Sequence, residues 1–166
     1  MKYTKDRPIR NMEHFTQPVF FVGMEWGICA PTDLDVEIDL KNIVWGHGEI
    51  KCNNSEVPKG QRILLEHKIE NLSELGIHGV AMIIDAEGSD EGIYVAKCTV
   101  REACWTENYE EYGRPMWVPI SGERNPKEFM DAYMDWSVGP AFRRDLERNA
   151  FDPTKYKNGR YGEGNV

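Results

Sequence analysis

Acidic and apolar residues alternate without exception along residues 33–40, whose sequence is DLDVEIDL. Side chains two positions apart on a β-strand project from the same face. The four acids that would share this face are Asp33, Asp35, Glu37 and Asp39. Clustered carboxylates suit hard cations such as Mg²⁺ and Mn²⁺, which the protein need not enclose completely. The segment therefore predicts a half-buried strand whose acidic face could bind a metal ion.

A second spaced pair of charged residues lies in the next segment, IVWGHGEIK at residues 43–51. Glu49 and Lys51 are two positions apart, so they also share a face if this segment is the returning strand of an antiparallel hairpin. A metal ion lowers the pKa of a bound water, and a neighbouring ammonium stabilises charge that develops on a phosphoryl group. The pair therefore adds a second carboxylate and a cation to the predicted site.

The register of the hairpin decides whether the two groups meet. A three-residue loop at 41–43 places Asp35 opposite Glu49. The same loop places Asp33 opposite Lys51. A two-residue turn would shift the register by one and separate the acids from the pair, because side chains alternate with a period of exactly two. The competing interpretation is that the acids are the solvated face of an amphipathic strand and that Glu49 and Lys51 are a surface pair.

The elements around the hairpin follow from hydrophobic periodicity. Residues 61–75 have apolar residues at helical spacings, and Gly76 is a typical C-terminal stop. The continuous apolar run at 79–84 predicts a buried strand beside the hairpin after a helical crossover. Further predicted elements are a strand within 19–24, a strand at 93–100 and a helix at 126–136, and the segment 107–124 between the last two is interpreted as irregular. The fold class predicted is α/β, with a central mixed β-sheet that contains the antiparallel hairpin and is flanked by helices.

The chain has 166 residues, which is the size of a single domain. We expect one domain over residues 1–150 and a flexible tail over 151–166, where Gly, Pro and charged residues occur without periodicity. No apolar run is long enough to span a bilayer, and the start of the chain is too polar for a signal peptide. We therefore expect a cytoplasmic protein.

Cysteine spacing and net charge narrow the function classes. The four cysteines form no CxxC pair, so we expect reduced thiols and no structural zinc site from local motifs. The formal net charge of −8 counts against a nucleic-acid protein, because affinity for a phosphate backbone comes mostly from Lys and Arg. Bound divalent cations would reverse the local sign of an acidic site.

Three short strings in order, PTDLD at 31–35, GEIK at 48–51 and KGQR at 59–62, resemble the PD-(D/E)xK nuclease superfamily. The resemblance implies a restriction endonuclease-like fold in which Asp33 or Asp35 binds the metal together with Glu49, and Lys51 assists. In the RecB-like and phage exonuclease branch a glutamine begins the next helix, and Gln61 stands there. The tyrosine usual four residues further on is Leu65 here. Over residues 10–100 the chain is similar to small endonuclease-like proteins of bacteriophage.

This resemblance implies a metal-dependent DNA endonuclease or exonuclease. Its catalytic residues would be Asp35, Glu49, Lys51 and Gln61, and its cofactor Mg²⁺ or Mn²⁺. Arg62, at a helix start, would bind a phosphate of the substrate. DNA would be the partner, a homodimer could form, and a viral protein would act in the host cytoplasm. The alternative, favoured by the net charge, is a non-catalytic acidic phage protein on the same scaffold that inhibits a host DNA-processing enzyme.

Overall fold

The computed structural model describes residues 19–20, 23, 36–52, 55–87 and 93–156. They form an α/β structure in which helices flank a five-stranded mixed sheet. This confirms the predicted fold class. Within the described ranges, no helix is both long enough and apolar enough to cross a membrane.

The described elements comprise seven strands and four α-helices. The strands are β1 (Val19–Phe20), β2 (Val36–Leu40), β3 (Val44–Cys52), β4 (His78–Ala86), β5 (Ile93–Tyr94), β6 (Thr99–Trp105) and β7 (Val118–Pro119). The helices are α1 (Lys59–Glu74), α2 (Thr106–Tyr112), α3 (Pro126–Ser137) and α4 (Pro140–Glu147), and a 3₁₀ turn occupies Val95–Lys97.

The main sheet has the order β2-β3-β4-β6-β7. Strands β3 and β4 are parallel, and every other neighbouring pair is antiparallel. Parallel neighbours need a long crossover connection, and α1 supplies it between β3 and β4. Strands β1 and β5 form a separate two-stranded parallel sheet.

The loop between β2 and β3 contains three residues, because Leu40 pairs with Val44 and Val36 pairs with Gly48. The first two loop residues, Lys41 and Asn42, have left-handed φ angles of 60° and 56°. The carboxylate of Asp39 accepts a hydrogen bond of 2.7 Å from the backbone N–H of Asn42 and so stabilises the turn. The predicted hairpin is confirmed, and of the two loop lengths that the sequence allowed the structure has the three-residue loop.

The two faces of the sheet have different cores. One face packs against α3 and α4, and its fully buried side chains include Ile38, Leu40, Met82, Met130 and Phe142. The opposite face packs against α1 through a smaller cluster of Leu65, Ile69, Ala81, Ile83 and Cys104. Burying each large aliphatic side chain contributes about 1.5–3 kcal/mol. Because β2 and β3 alternate between these faces, their charged residues lie on the α1 side.

Several predicted elements occur where the periodicity placed them. Helix α1 covers residues 61–74 of the predicted 61–75 segment, Leu75 is its C-cap, and Gly76 comes next with a φ of 67°. Strand β4 contains the predicted 79–84 run. Helix α3 begins after Asn125, whose side chain and that of Glu128 form a reciprocal capping box. Of the predicted strand at 19–24, the structure describes Val19–Phe20 as strand, and the rest lies mostly outside the described residues.

The predicted continuous strand at 93–100 is wrong. The 3₁₀ turn Val95–Lys97 interrupts it, and β6 instead continues to Trp105. Strand β6 pairs with the long strand β4 as far as Trp105. This pairing, and not the composition of the segment, sets where β6 ends. The segment 107–124, interpreted as irregular, contains α2 and β7. Helix α2 ends at Gly113, which has a φ of 68°, and this glycine was the local signal for the helix.

Part of the segment predicted as a tail belongs to the packed structure. Tyr156 is buried, and its ring packs edge-on against Phe142 of α4 and parallel to Phe151. These aromatic contacts attach residues 151–156 to the α3/α4 core. Residues 157–166 lie outside the described part of the chain.

Candidate active site

Strand β3 presents Glu49 and Lys51 to the α1 face of the sheet. Glu49 is buried, with 7% of its surface exposed, and the Nζ of Lys51 donates a hydrogen bond of 2.6 Å to its Oε1. The intervening Ile50 packs against the α3/α4 core instead. A buried carboxylate is costly unless it is paired, and Lys51 provides the compensating charge.

Helix α1 brings a third group to this pair. Gln61 lies in its first turn, which follows Pro58, and the side-chain Oε1 of Gln61 accepts a hydrogen bond of 2.8 Å from the Nζ of Lys51. The ammonium is therefore held between a carboxylate and an amide that lies ten residues further along the chain. Glu49, Lys51 and Gln61, proposed from the sequence, thus lie together in the structure.

The predicted metal ligands Asp33 and Asp35 lie outside the described residues. Val36, the first described residue of β2, pairs with Gly48. Among the described residues no group of three or more His, Cys, Asp or Glu side chains could hold a metal ion. Glu49 fits one place in such a ligand set, because its carboxylate is a buried oxygen donor.

A second charged cluster lies next to Glu49 on the same face. Lys68 of α1 donates a hydrogen bond of 2.9 Å to Oε1 of Glu37, and its Nζ lies 3.3 Å from Nδ1 of His47. Burial, followed by the charge of Lys68, lowers the pKa of His47 to about 4. The hydrogen bond from Lys68 lowers the pKa of Glu37 despite partial burial. At neutral pH His47 is therefore uncharged.

Arg62, the predicted phosphate ligand, is engaged within the protein. Its Nη1 and Nη2 donate hydrogen bonds of 3.0 and 2.9 Å to the two carboxylate oxygens of Glu102, and its guanidinium lies 4.7 Å from the ring centre of Trp117. The hydrogen bond to Glu102 raises the pKa of Arg62 and lowers that of Glu102. Phosphate binding by Arg62 remains a prediction that must compete with this bidentate ion pair.

The sequence reasoning missed Asp85, Arg101 and Glu102, which lie on the same face. Asp85 is the cross-strand partner of Lys51, and the Nη1 of Arg101 lies 3.0 Å from its Oδ1. Burial raises the pKa of Asp85, while the charge of Arg101 opposes that rise. Asp85 does follow an apolar run directly, and an acid at the end of a buried strand is the signal that could have marked it.

No family model, curated protein or solved structure matches this chain.

Proposed function

We propose that this protein is a metal-dependent deoxyribonuclease that hydrolyses phosphodiester bonds. The supporting observation is that the Nζ of Lys51 is held at 2.6 Å from Glu49 and 2.8 Å from Gln61 on one buried face. A surface ion pair does not need an amide from a separate helix to orient it. The three residues have the types and the order expected of a strand with an E-x-K motif that is followed by a helix with a glutamine in its first turn.

Each side chain has a separate role in this proposal. Glu49, with Asp35 or Asp33, would hold Mg²⁺ or Mn²⁺, which when bound supplies a water of lowered pKa and neutralises phosphate charge. An ammonium has three N–H donors, and Lys51 uses two of them on Glu49 and Gln61. The third N–H can donate to a non-bridging oxygen of the substrate, where charge develops in the transition state. Arg62 would bind a neighbouring phosphate.

The net charge of −8 favours a second function, that of a non-catalytic acidic protein that inhibits a DNA-processing enzyme of a host cell. An inhibitor would not need the ammonium of Lys51 to be oriented by two side-chain oxygens, so we place this function second. In either case we propose that the protein acts in the cytoplasm, in a phage-infected host if it is viral, and without a membrane partner.

Cleavage and metal binding distinguish the two proposals. Purified protein would be incubated with supercoiled plasmid, linear duplex and single-stranded DNA in Mg²⁺ and in Mn²⁺, with EDTA as the control. The nuclease proposal expects cation-dependent cleavage of at least one substrate and heat release on titration with Mn²⁺. A preparation that binds no cation and cuts none of these substrates would overturn the nuclease proposal and favour the inhibitor.

A further inference from the structure

A β-bulge in β6 places two consecutive charged residues on the face that carries Lys51. Ile83 of β4 pairs with Glu102, whereas the next residue, Ile84, pairs with Val100. Arg101 is therefore the extra residue of the bulge. The flanking Val100 and Ala103 are buried in the α3/α4 core, so Arg101 and Glu102 both lie on the α1 side. Bulges commonly redirect side chains beside functional sites.

Arg101 connects three parts of the structure around this site. Its Nη1 lies 3.0 Å from Oδ1 of Asp85, the cross-strand partner of Lys51. Its Nη2 donates a hydrogen bond of 3.3 Å to the backbone carbonyl of Ser55. Ser55 belongs to the connection between β3, which carries Lys51, and α1, which carries Gln61. The guanidinium thus joins β4, β6 and this connection.

The attraction in this cluster depends on charge. Oδ1 of Asp85 and Nε of Arg101 are buried, and neither makes a hydrogen bond of good geometry with the described residues. The pair is therefore held by its ionic contact at 3.0 Å, which a neutral side chain of similar shape would not reproduce. Arg62 is held by both carboxylate oxygens of Glu102 and by Trp117, and Oε1 of Glu102 also lies 3.7 Å from Nε of Arg101.

We infer that Asp85 and Arg101 are positioning residues for the proposed active site. By holding the β3–α1 connection at Ser55, they keep the amide of Gln61 on the ammonium of Lys51. This inference rests on the proposed function only in its catalytic consequence. The mechanical part, that Arg101 restrains the connection, holds whether or not DNA is the substrate.

Arg101→Gln is the main test, and Arg143→Gln is its matched control. Both arginines have side chains 27% exposed in ion pairs with an aspartate, but Arg143 pairs with Asp135 within the α3/α4 layer. Hydrogen exchange followed by mass spectrometry would compare peptides covering residues 55–64. We expect faster exchange there in Arg101→Gln and in Asp85→Asn, and wild-type exchange in Arg143→Gln. Unchanged exchange in both site variants would overturn the inference.

The catalytic consequence is measured by single-turnover cleavage over a range of enzyme concentrations. Small displacements of catalytic groups can cost up to about a hundredfold in rate, so we expect Arg101→Gln to lose about tenfold or more at saturating enzyme. The enzyme concentration that gives half of the maximal rate should stay within about twofold of the wild-type value. Arg101→Lys should recover part of the rate. Adding Arg101→Gln to Gln61→Ala should cost little more, because both changes act on the same contact.

Four outcomes would contradict the catalytic part of the inference. A folded Arg101→Gln variant that cuts at the wild-type rate, or whose loss adds fully to that of Gln61→Ala, overturns it while the nuclease proposal stands. A loss that appears only in half-saturation would assign Arg101 to substrate binding instead. If the wild-type protein cuts no DNA, the nuclease proposal is wrong before any variant is compared. The catalytic role of Arg101 is then wrong as well. Should Arg101→Gln not fold, Asp85→Asn and Arg101→Lys provide the same comparisons.

Discussion

The Nζ of Lys51 and the Oε1 of Gln61 lie 2.8 Å apart, although one belongs to the inner strand β3 and the other to the first turn of the crossover helix α1. This contact and the 2.6 Å contact with Glu49 leave little rotational freedom to the lysine ammonium. An ammonium that is already oriented needs no reorganisation when negative charge develops beside it in the transition state.

Lys51→Met and Glu49→Gln should separate catalysis from cation binding. Lys51→Met retains an apolar stem of similar length, so cation binding should persist while cleavage falls about a hundredfold or more. Glu49→Gln removes a proposed ligand, so both cleavage and Mn²⁺ binding should be lost. DNA cleavage, calorimetric titration with Mn²⁺ and thermal melts would be compared.

The control for these variants is Lys127→Met, since Lys127 also pairs with an acid, Asp131, but lies on α3. It should cut at the wild-type rate. Cleavage by Lys51→Met as fast as that of the wild type would remove the lysine from the mechanism.

Gly48→Ala should destabilise the fold by about 1–3 kcal/mol, the usual cost of overpacking a core. A Cβ at this position would lie 2.8 Å from Cδ1 of Ile84 and 2.9 Å from Cβ of Val36. Gly60→Ala is the control, because a Cβ there meets nothing within 4 Å and alanine favours the helix by up to about 1 kcal/mol. Urea denaturation of both variants would measure the difference. If Gly48→Ala and Gly60→Ala unfolded at the same urea concentration, β3 and β4 would have to separate easily at Gly48 to admit the added methyl group.

Glu107 should contribute stability that is lost in acid. Burial would raise its pKa, but hydrogen bonds from His78 at 2.5 Å and Tyr133 at 2.9 Å outweigh it and lower the pKa below the ordinary 4.5. Because the folded state binds the proton less tightly, this stability is present above pH 4.5 and is lost as the pH falls through the folded-state pKa.

Glu107→Gln tests this linkage. We expect the variant to be about 1–3 kcal/mol less stable at pH 7 and to show a shallower loss of stability below pH 4.5. Glu123→Gln, at an exposed position, should retain the wild-type pH profile. Urea denaturation between pH 3 and pH 7, about the range in which carboxylates titrate, would measure both. Parallel pH profiles for wild type and Glu107→Gln would contradict the assignment.

The buried cysteines should be unreactive in the folded protein. Cys52, Cys98 and Cys104 are free thiols, and burial raises the pKa of Cys98 to about 11 and that of Cys104 to about 12. Cys52 is only partly buried, so among these three it should react first with iodoacetamide at pH 8. Peptide mass spectrometry over a time course would rank the sites. Equal labelling rates without denaturant would contradict the burial of Cys98 and Cys104.

Local patterns in the sequence were sufficient for several features of this protein. The exact alternation in 33–40, the apolar run at 79–84 and the helical spacing in 61–75 each reflect one buried face of one element. They predicted the hairpin, the crossover helix and the central strand, and they placed Glu49 and Lys51 on one side of β3. The three-residue loop was one of two registers that the sequence allowed.

Other features depend on contacts between distant segments. Arg62 meets Glu102 forty residues away, and the bulge that turns both Arg101 and Glu102 toward α1 exists only where β6 pairs with β4. The strand at 93–100 and the segment at 107–124 were misjudged for the same reason. A residue's own neighbours set its backbone preference and the period of its hydrophobic face. Strand register, bulges and ion pairs are instead settled by which packed arrangement of whole elements has the lowest free energy.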